Sequence, residues 1–266
     1  IGGNITYSRF WDWEQYKPRF SNSWDEYRNS IWHRVGYVNW GYEAIGRFQN
    51  WEQIANYPID NDRKGNRTVV PGDIMYKDQN NDGVINYLDE RPIGYRVDST
   101  PTLNFGINLS ASWKGFDLAM DWTGSGMTSW NQCYETARPF QNDGNSPDEV
   151  LKDAWHLSDI WDANSPLIPG KYPMIRLNTD ETSAYDKSSY WLHNVTYLKL
   201  RNLEVGYTFP KTWLNKTGIS NLRLFVSGTN LLTLSNLSVM DPECASDNGL
   251  DYPPMRVINI GVNLKF

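Results

Sequence analysis

Residues 103–113 place Leu103, Phe105, Ile107, Leu109, Ala111 and Trp113 at alternate positions, with Asn104, Gly106, Asn108, Ser110 and Ser112 between them. Successive side chains of a strand point to opposite faces, so this segment is a strand with one apolar and one strongly polar face. After Lys114-Gly115 the pattern restarts, with Phe116, Leu118, Met120 and Trp122 opposite Asp117, Ala119, Asp121 and Thr123. Two residues between such runs predict a tight hairpin.

The same alternation recurs along the chain, and helical periodicity is scarce. Ile258, Ile260, Val262, Leu264 and Phe266 alternate with Asn259, Gly261, Asn263 and Lys265. Leu203, Val205, Tyr207 and Phe209 alternate with Glu204, Gly206 and Thr208 until Pro210 ends the strand. Residues 197–201 carry the opposite phase, which predicts a bulge near Arg201-Asn202. Residues 221–231 read as another strand, and 1–10 and 32–45 as weaker ones. Two short helices are expected inside loops. Ser146-Pro147-Asp148-Glu149 reads as a capping box with Pro at the first helical position, and Asn50-Trp51-Glu52-Gln53 as a second cap. The expected class is all-β and antiparallel.

Alternation alone leaves the solvent of the apolar face open. In a soluble sandwich two apolar faces meet each other. In an outer-membrane barrel they meet lipid, and the polar faces line the lumen. No run reaches the about 18 consecutive apolar residues of a spanning helix, which excludes a helical membrane protein but not a barrel. The minimal turn at 114–115, set against connections tens of residues long, favours the barrel. Aromatics at strand ends (Trp113, Phe116, Trp122, Tyr207 and Phe209) suit an interfacial girdle. The alternative is a soluble secreted carbohydrate-binding β-sandwich with a calcium loop.

With 31 acidic against 25 basic residues, the 266-residue chain has no basic stripe to meet nucleic acid. Its two cysteines, Cys133 and Cys244, are too few for a disulfide scaffold but allow one bridge. Ile1, with no initiator Met and no signal-peptide pattern, reads as a cut end.

Asp78, Asn80, Asp82, Gly83 and Asp89 fall at positions 1, 3, 5, 6 and 12 of a calcium loop, with the Val84 carbonyl at position 7. Oxygen donors at alternate positions surround one hard cation, and glycine permits the turn. The expected ion is a structural calcium; an Asx-rich turn without metal is the alternative. Residues 124–192 are read as a long loop, dense in Gly, Pro, Asn, Asp and Ser yet rich in aromatics. Disordered segments are aromatic-poor, so the loop is expected to be functional. Its Trp130, Tyr134 and Trp161 are the candidate sugar platforms, since pyranose faces pack on such rings. His33, His156 and His193 form no ligand spacing, and no nucleophile or nucleotide motif supports an enzyme.

Several stretches in order resemble one family. They include Gly72-Asp73-Ile74-Met75-Tyr76-Lys77-Asp78 leading into Asn81-Asp82-Gly83-Val84-Ile85, and the hairpin Trp113-Lys114-Gly115-Phe116. Residues 197–210, 221–231, Asp241-Pro242-Glu243 and 259–266 complete the set. Together they resemble the C-terminal part of the SusC-like TonB-dependent outer-membrane transporters. The resemblance implies that residues 1–266 are the C-terminal strands of a transmembrane barrel of roughly 22 strands, plugged by an N-terminal domain and bearing long extracellular loops. The plug, the TonB-contacting segment and the earlier strands would lie outside this chain. It further implies a place in the bacterial outer membrane, in contact with lipid, and a SusD-like surface lipoprotein as partner. The implied activity is import of oligosaccharides, or of peptides in some members, driven through TonB. Ile258, Ile260, Val262, Leu264 and Phe266 would then be the barrel-assembly signal.

Overall fold

A computed structural model describes residues 1–96, 101–177, 182–215, 218–243, 246 and 248–266. Six strands carry the fold: β1 (Gly2–Tyr7), β2 (Leu103–Trp113), β3 (Phe116–Asn131), β4 (Leu192–Thr208), β5 (Asn221–Ser235) and β6 (Val257–Lys265). They form one antiparallel sheet in chain order, each strand paired with the next. The β2–β3 hairpin closes through Lys114 (φ 48°) and Gly115 (φ 91°), with Trp113 opposite Phe116. Two successive left-handed residues are what a type I′ turn requires, and they match the twist of the flanking strands.

The apolar faces do not meet each other. Ile107, Val205 and Ile260 remain 38%, 44% and 83% exposed on the outside of a single sheet, which sets aside the β-sandwich alternative. Hydrophobic residues left at this density on one face of a sheet belong against hydrocarbon. The strand ends differ sharply. At one end the connections are the two-residue turn and residues 209–220, where Lys211–Leu214 form one helical turn. There Phe116, Tyr207, Phe209 and Trp213 make a continuous aromatic row with ring centroids 4.6, 5.0 and 6.1 Å apart. At the other end stand the long connections 8–102, 132–191 and 236–256.

Register breaks between Leu200 and Asn202 against both neighbouring strands: opposite β3, Arg201 is the extra residue of the expected bulge, whereas opposite β5 that strand carries the additional residue, Asn230 and Leu231 facing Arg201 alone. A second shift falls between Val195 and Tyr197. Other expectations need correction. Residues 124–192 are not all loop: β3 continues to Asn131 and β4 begins at Leu192. Ser125, Thr128, Ser129 and Trp130 are buried, because the folded connections cover both sides of the sheet there. Where neither face meets lipid, nothing enforces alternation, and the strand is invisible to it. Residues 32–45 are not one strand. Short pieces within them pair instead with residues 11–12, 91–92 and 74–76. Trp51–Ala55 is capped by Asn50 as expected, its side chain accepting from Gln53 N at 2.8 Å. Asp148–Lys152 has Pro147 at its N-cap and no side-chain cap, so the Ser146 capping box does not form.

Connections 8–102 and 132–191 fold together into a cap with its own core. Tyr42, Ile74, Tyr76, Ile85, Val150, Tyr172, Tyr185 and Trp191 are buried there, contributed by both connections. The two are stitched by Tyr42 N to Lys187 O at 2.9 Å, Tyr76 Oη to Ser183 O at 2.7 Å and an Arg63–Asp186 ion pair at 2.8 Å. Backbone polar groups of so long a connection need partners, and each connection supplies them for the other.

Candidate functional site

The polar face of the sheet is a set of closed hydrogen-bond groups. Residues paired across strands share a face, so Asn108, Asp121 and Asn202 form one row. Asn108 Nδ2 donates to Asp121 Oδ1 at 2.7 Å and Asn202 Nδ2 to Asp121 Oδ2 at 3.2 Å. Nearer the turns, Arg223 Nε donates to Asp117 Oδ1 at 3.1 Å and its Nη2 to Glu204 Oε1 at 2.6 Å. A charged residue facing a lumen keeps its partners this way, whereas on the opposite face it would meet lipid.

The metal candidates converge. Carboxylate oxygens of Asp78, Asp82 and Asp89 lie within 4.8 Å of one another. Asx-type hydrogen bonds shape the loop: Asp78 accepts from Asn81 N at 2.6 Å and Gly83 N at 2.8 Å, and Asp82 from Val84 N at 2.9 Å. Asn80 Oδ1 accepts from Asp82 N at 3.0 Å, and Gly83 holds φ 84°. Asp89 is buried and accepts from Gln79 N and Asn86 N at 2.8 and 2.9 Å, closing the loop on itself, while Gln79 Nε2 donating to Glu43 Oε2 at 2.7 Å and Asp60 N donating to Gly83 O at 2.8 Å tie it to the rest of the cap. The Val84 N–H and the Asn80 amide beside Asp82 hold its carboxyl below the usual aspartate value. An all-oxygen donor set of this kind fits a hard cation such as calcium.

The aromatic candidates are scattered. Trp130 is 3% exposed, Tyr134 52% and Trp161 89%. Trp130 lies in β3, not in a loop; it stacks on His193 at 5.6 Å, and its Nε1 donates to Ser246 O at 3.0 Å. Its place is that of a packing residue. Tyr134 and Trp161 stand open on the cap. Sequence reasoning missed a second exposed group, Trp13, Tyr16 and Trp32, with His33 edge-on to Trp13 at 4.6 Å. The Trp11-x-Trp13 and Trp32-His33 spacings carried that signal. Ile258, Ile260, Val262 and Leu264 stand exposed on β6, with Phe266 just beyond it. Cys244 lies outside the described residues, and with it the one bridge to Cys133 that the composition allows.

No family model matches the chain. Among curated proteins it is similar to TonB-dependent receptor P3 of Formosa agariphila, 30% identical over 243 residues, covering 84% of this chain and 22% of that protein. TonB-dependent receptor SusC of Bacteroides thetaiotaomicron is 24% identical over 252 residues, covering 88% of this chain and 20% of its own length. The chain thus spans about a fifth of the curated relatives it matches. In backbone it is similar to the RagAB peptide transporter, with TM-score 0.56 and 22% identity, over 89% of this chain and 23% of that one. The RagAB peptide importer in its open-open state superposes with TM-score 0.55 over 94% of this chain. Residue sequence and backbone path agree: the chain is similar to SusC-like TonB-dependent receptors, and its sheet is a section of the outer-membrane barrel wall that characterises their fold.

Proposed function

We propose that the protein to which this chain belongs imports nutrients across the bacterial outer membrane, energised through TonB, and that oligosaccharides are its cargo. One observation carries the reading: a one-sided sheet, apolar outside and closed by ion pairs inside, with a folded cap over its long-loop end. In this reading residues 1–266 are the C-terminal part of the barrel, and the remaining N-terminal polypeptide supplies the plug and the TonB contact. A SusD-like surface lipoprotein covers the capped end. Residues 258–266 serve as the barrel-assembly signal. The chain binds and passes cargo without covalent chemistry.

Exposed Tyr134 and Trp161, together with Trp13 and Trp32, support a glycan cargo by offering flat apolar faces to sugar rings. Asp78, Asn80, Asp82, the Val84 carbonyl and Asp89 would hold one calcium ion, whose role is to stiffen the cap. A second reading is peptide import, favoured by the two RagAB structures, which are described as a peptide transporter and a peptide importer. Deletion of the full-length gene, followed by growth on single glycans and on peptide mixtures, separates the readings. Loss of growth on one glycan supports the first and loss on peptides alone the second. Unchanged growth on both overturns import.

A further inference from the structure

From Leu203 to Tyr207 the apolar residues of β4 face outward, and unbroken alternation would turn residues 199 and 201 outward with them. The bulge resets the phase. Opposite β3, Lys199 pairs with Thr123 and Asn202 with Asp121, while Leu200 pairs with Trp122 and Leu203 with Met120. Lys199, Arg201 and Asn202 thereby share the polar face, and the leucines on either side of them keep the apolar one. A strand that turns two cations inward needs anions to meet them there.

Connection 236–256 supplies those anions. It leaves β5 and turns back over the polar face, where Leu237, with Val239 and Met240, packs on Trp130, Val195 and Tyr197. Lys199, 1% exposed, donates from Nζ to both Asp241 carboxylate oxygens at 2.6 and 2.7 Å and to Glu243 Oε2 at 2.9 Å. Glu243 also pairs with Arg201, whose Nε donates to Thr123 Oγ1 at 3.0 Å and Nη1 to Asn230 Oδ1 at 3.3 Å. Asn230, held at φ 53°, donates from Nδ2 to Met255 O at 3.1 Å, which fastens the returning leg of the connection. Two cations and two carboxylates thus close on one another, and the side chains of Asp241 and Glu243 are only 18% and 19% exposed. Removing one partner from such a group leaves charge uncompensated away from water. Residues 236–243 are therefore a strap fixed by charge as well as by apolar contact.

We propose that Lys199 and Arg201 form a charge latch holding residues 236–243 against the inner wall, with Lys199 as the residue that positions this strap, and that the strap narrows the bore beside β4. The narrowing limits the size of what passes and rests on the import reading above; the latch itself does not. The first test exposes the full-length transporter in detergent to chymotrypsin and follows cleavage after Leu237 and Met240 by mass spectrometry. Wild type is expected to resist. Lys199→Met is expected to be cut about 100-fold faster, since cleavage follows the population of the released strap and a buried charge group has lost one partner. Asp241→Asn/Glu243→Gln alters the connection alone, so the wall assembles in either case, and it is expected to release the strap as well. Lys199→Arg keeps the cation and is expected to resist like wild type. Equal resistance of Lys199→Met and the double variant to that of wild type overturns the latch and leaves import standing, as does cleavage of Lys199→Arg at the Lys199→Met rate. The second test supplies cells carrying each variant with size-graded neutral oligosaccharides and size-graded peptides. Strap release is expected to admit fractions larger than the largest that wild type takes up. A released strap with an unchanged limit, or with uptake lost, overturns its role in the bore. Absence of gene-dependent uptake of every fraction in wild type overturns import and the size limit with it.

Discussion

Arg223 reaches across a whole strand: it sits on β5, passes over β4 at Gly206 and meets Asp117 on β3. Only a residue without a side chain leaves that path open, since a Cβ at Gly206 would lie 2.7 Å from the guanidinium carbon. Gly206→Ala is therefore expected to displace Arg223 and separate it from both Asp117 and Glu204. The pair is partly exposed, so the loss should be about 1 kcal/mol, read as a lower thermal midpoint of the full-length barrel in detergent. An equal loss in Arg223→Ala, with no further loss in the double variant, would confirm the shared cause. In the cap the stakes are larger. Asp73 is buried, and burial pushes its carboxyl up while Arg176 opposes the shift. Arg176→Met strands that carboxylate without its cation and is expected to destabilise the cap by about 3–5 kcal/mol, measured by protease resistance of connections 8–102 and 132–191.

At the scale of elements, turn chemistry and loop chemistry set different tests. Gly115 holds φ 91°, and a Cβ there would sit 2.7 Å from Thr208 O, so the β2–β3 turn tolerates no side chain. Gly115→Val is expected to slow assembly of the barrel and lower its heat-modified fraction on gels, because both the turn and the adjacent β4 end must shift. The proposed calcium loop is expected to respond to protons and chelators. Asp82 is held below its ordinary value of 3.8 by the Val84 N–H and the Asn80 amide. A lowered folded value contributes stability that is complete above 3.8 and lost as pH falls through the lowered value. Exchange of the Val84 amide hydrogen should therefore accelerate relative to its neighbours in that acid range. At neutral pH, a chelator is expected to lower the cap's unfolding temperature, and Asp89→Ala to abolish that difference. An unchanged temperature on chelation would reject bound calcium.

The whole sheet has two outer edges, on β1 and β6, whose outward backbone groups pair with no further strand among the described residues. Lipid cannot satisfy them, and each exposed group costs several kcal/mol, so in the proposed barrel these edges would be closed by further strands. The 266 residues expressed alone are expected to aggregate from detergent, whereas the full-length protein should give a discrete heat-modifiable species. Much of this wall was legible in the sequence. Strands β2 and β6, the Lys114-Gly115 turn, the bulge at Arg201 and the Asn50 cap all follow from alternation or local side-chain chemistry, because each is enforced within a few residues. The Asp78–Asp89 spacing was legible for the same reason. The upper half of β3 was not, since covered on both faces it carries no pattern, and neither was the start of β4 at Leu192. Nor were the cap core, the Lys199 strap or the burial of Trp130, which join residues tens of positions apart. Period-two alternation determined on its own that this chain builds amphipathic strands, since a strand's geometry assigns each residue a face. Tertiary structure decided that those strands share one sheet with its apolar face outward, and that the long connections fold back on themselves and on the polar wall. Which distant residues meet is set by packing and charge pairing in three dimensions, and no local pattern encodes it.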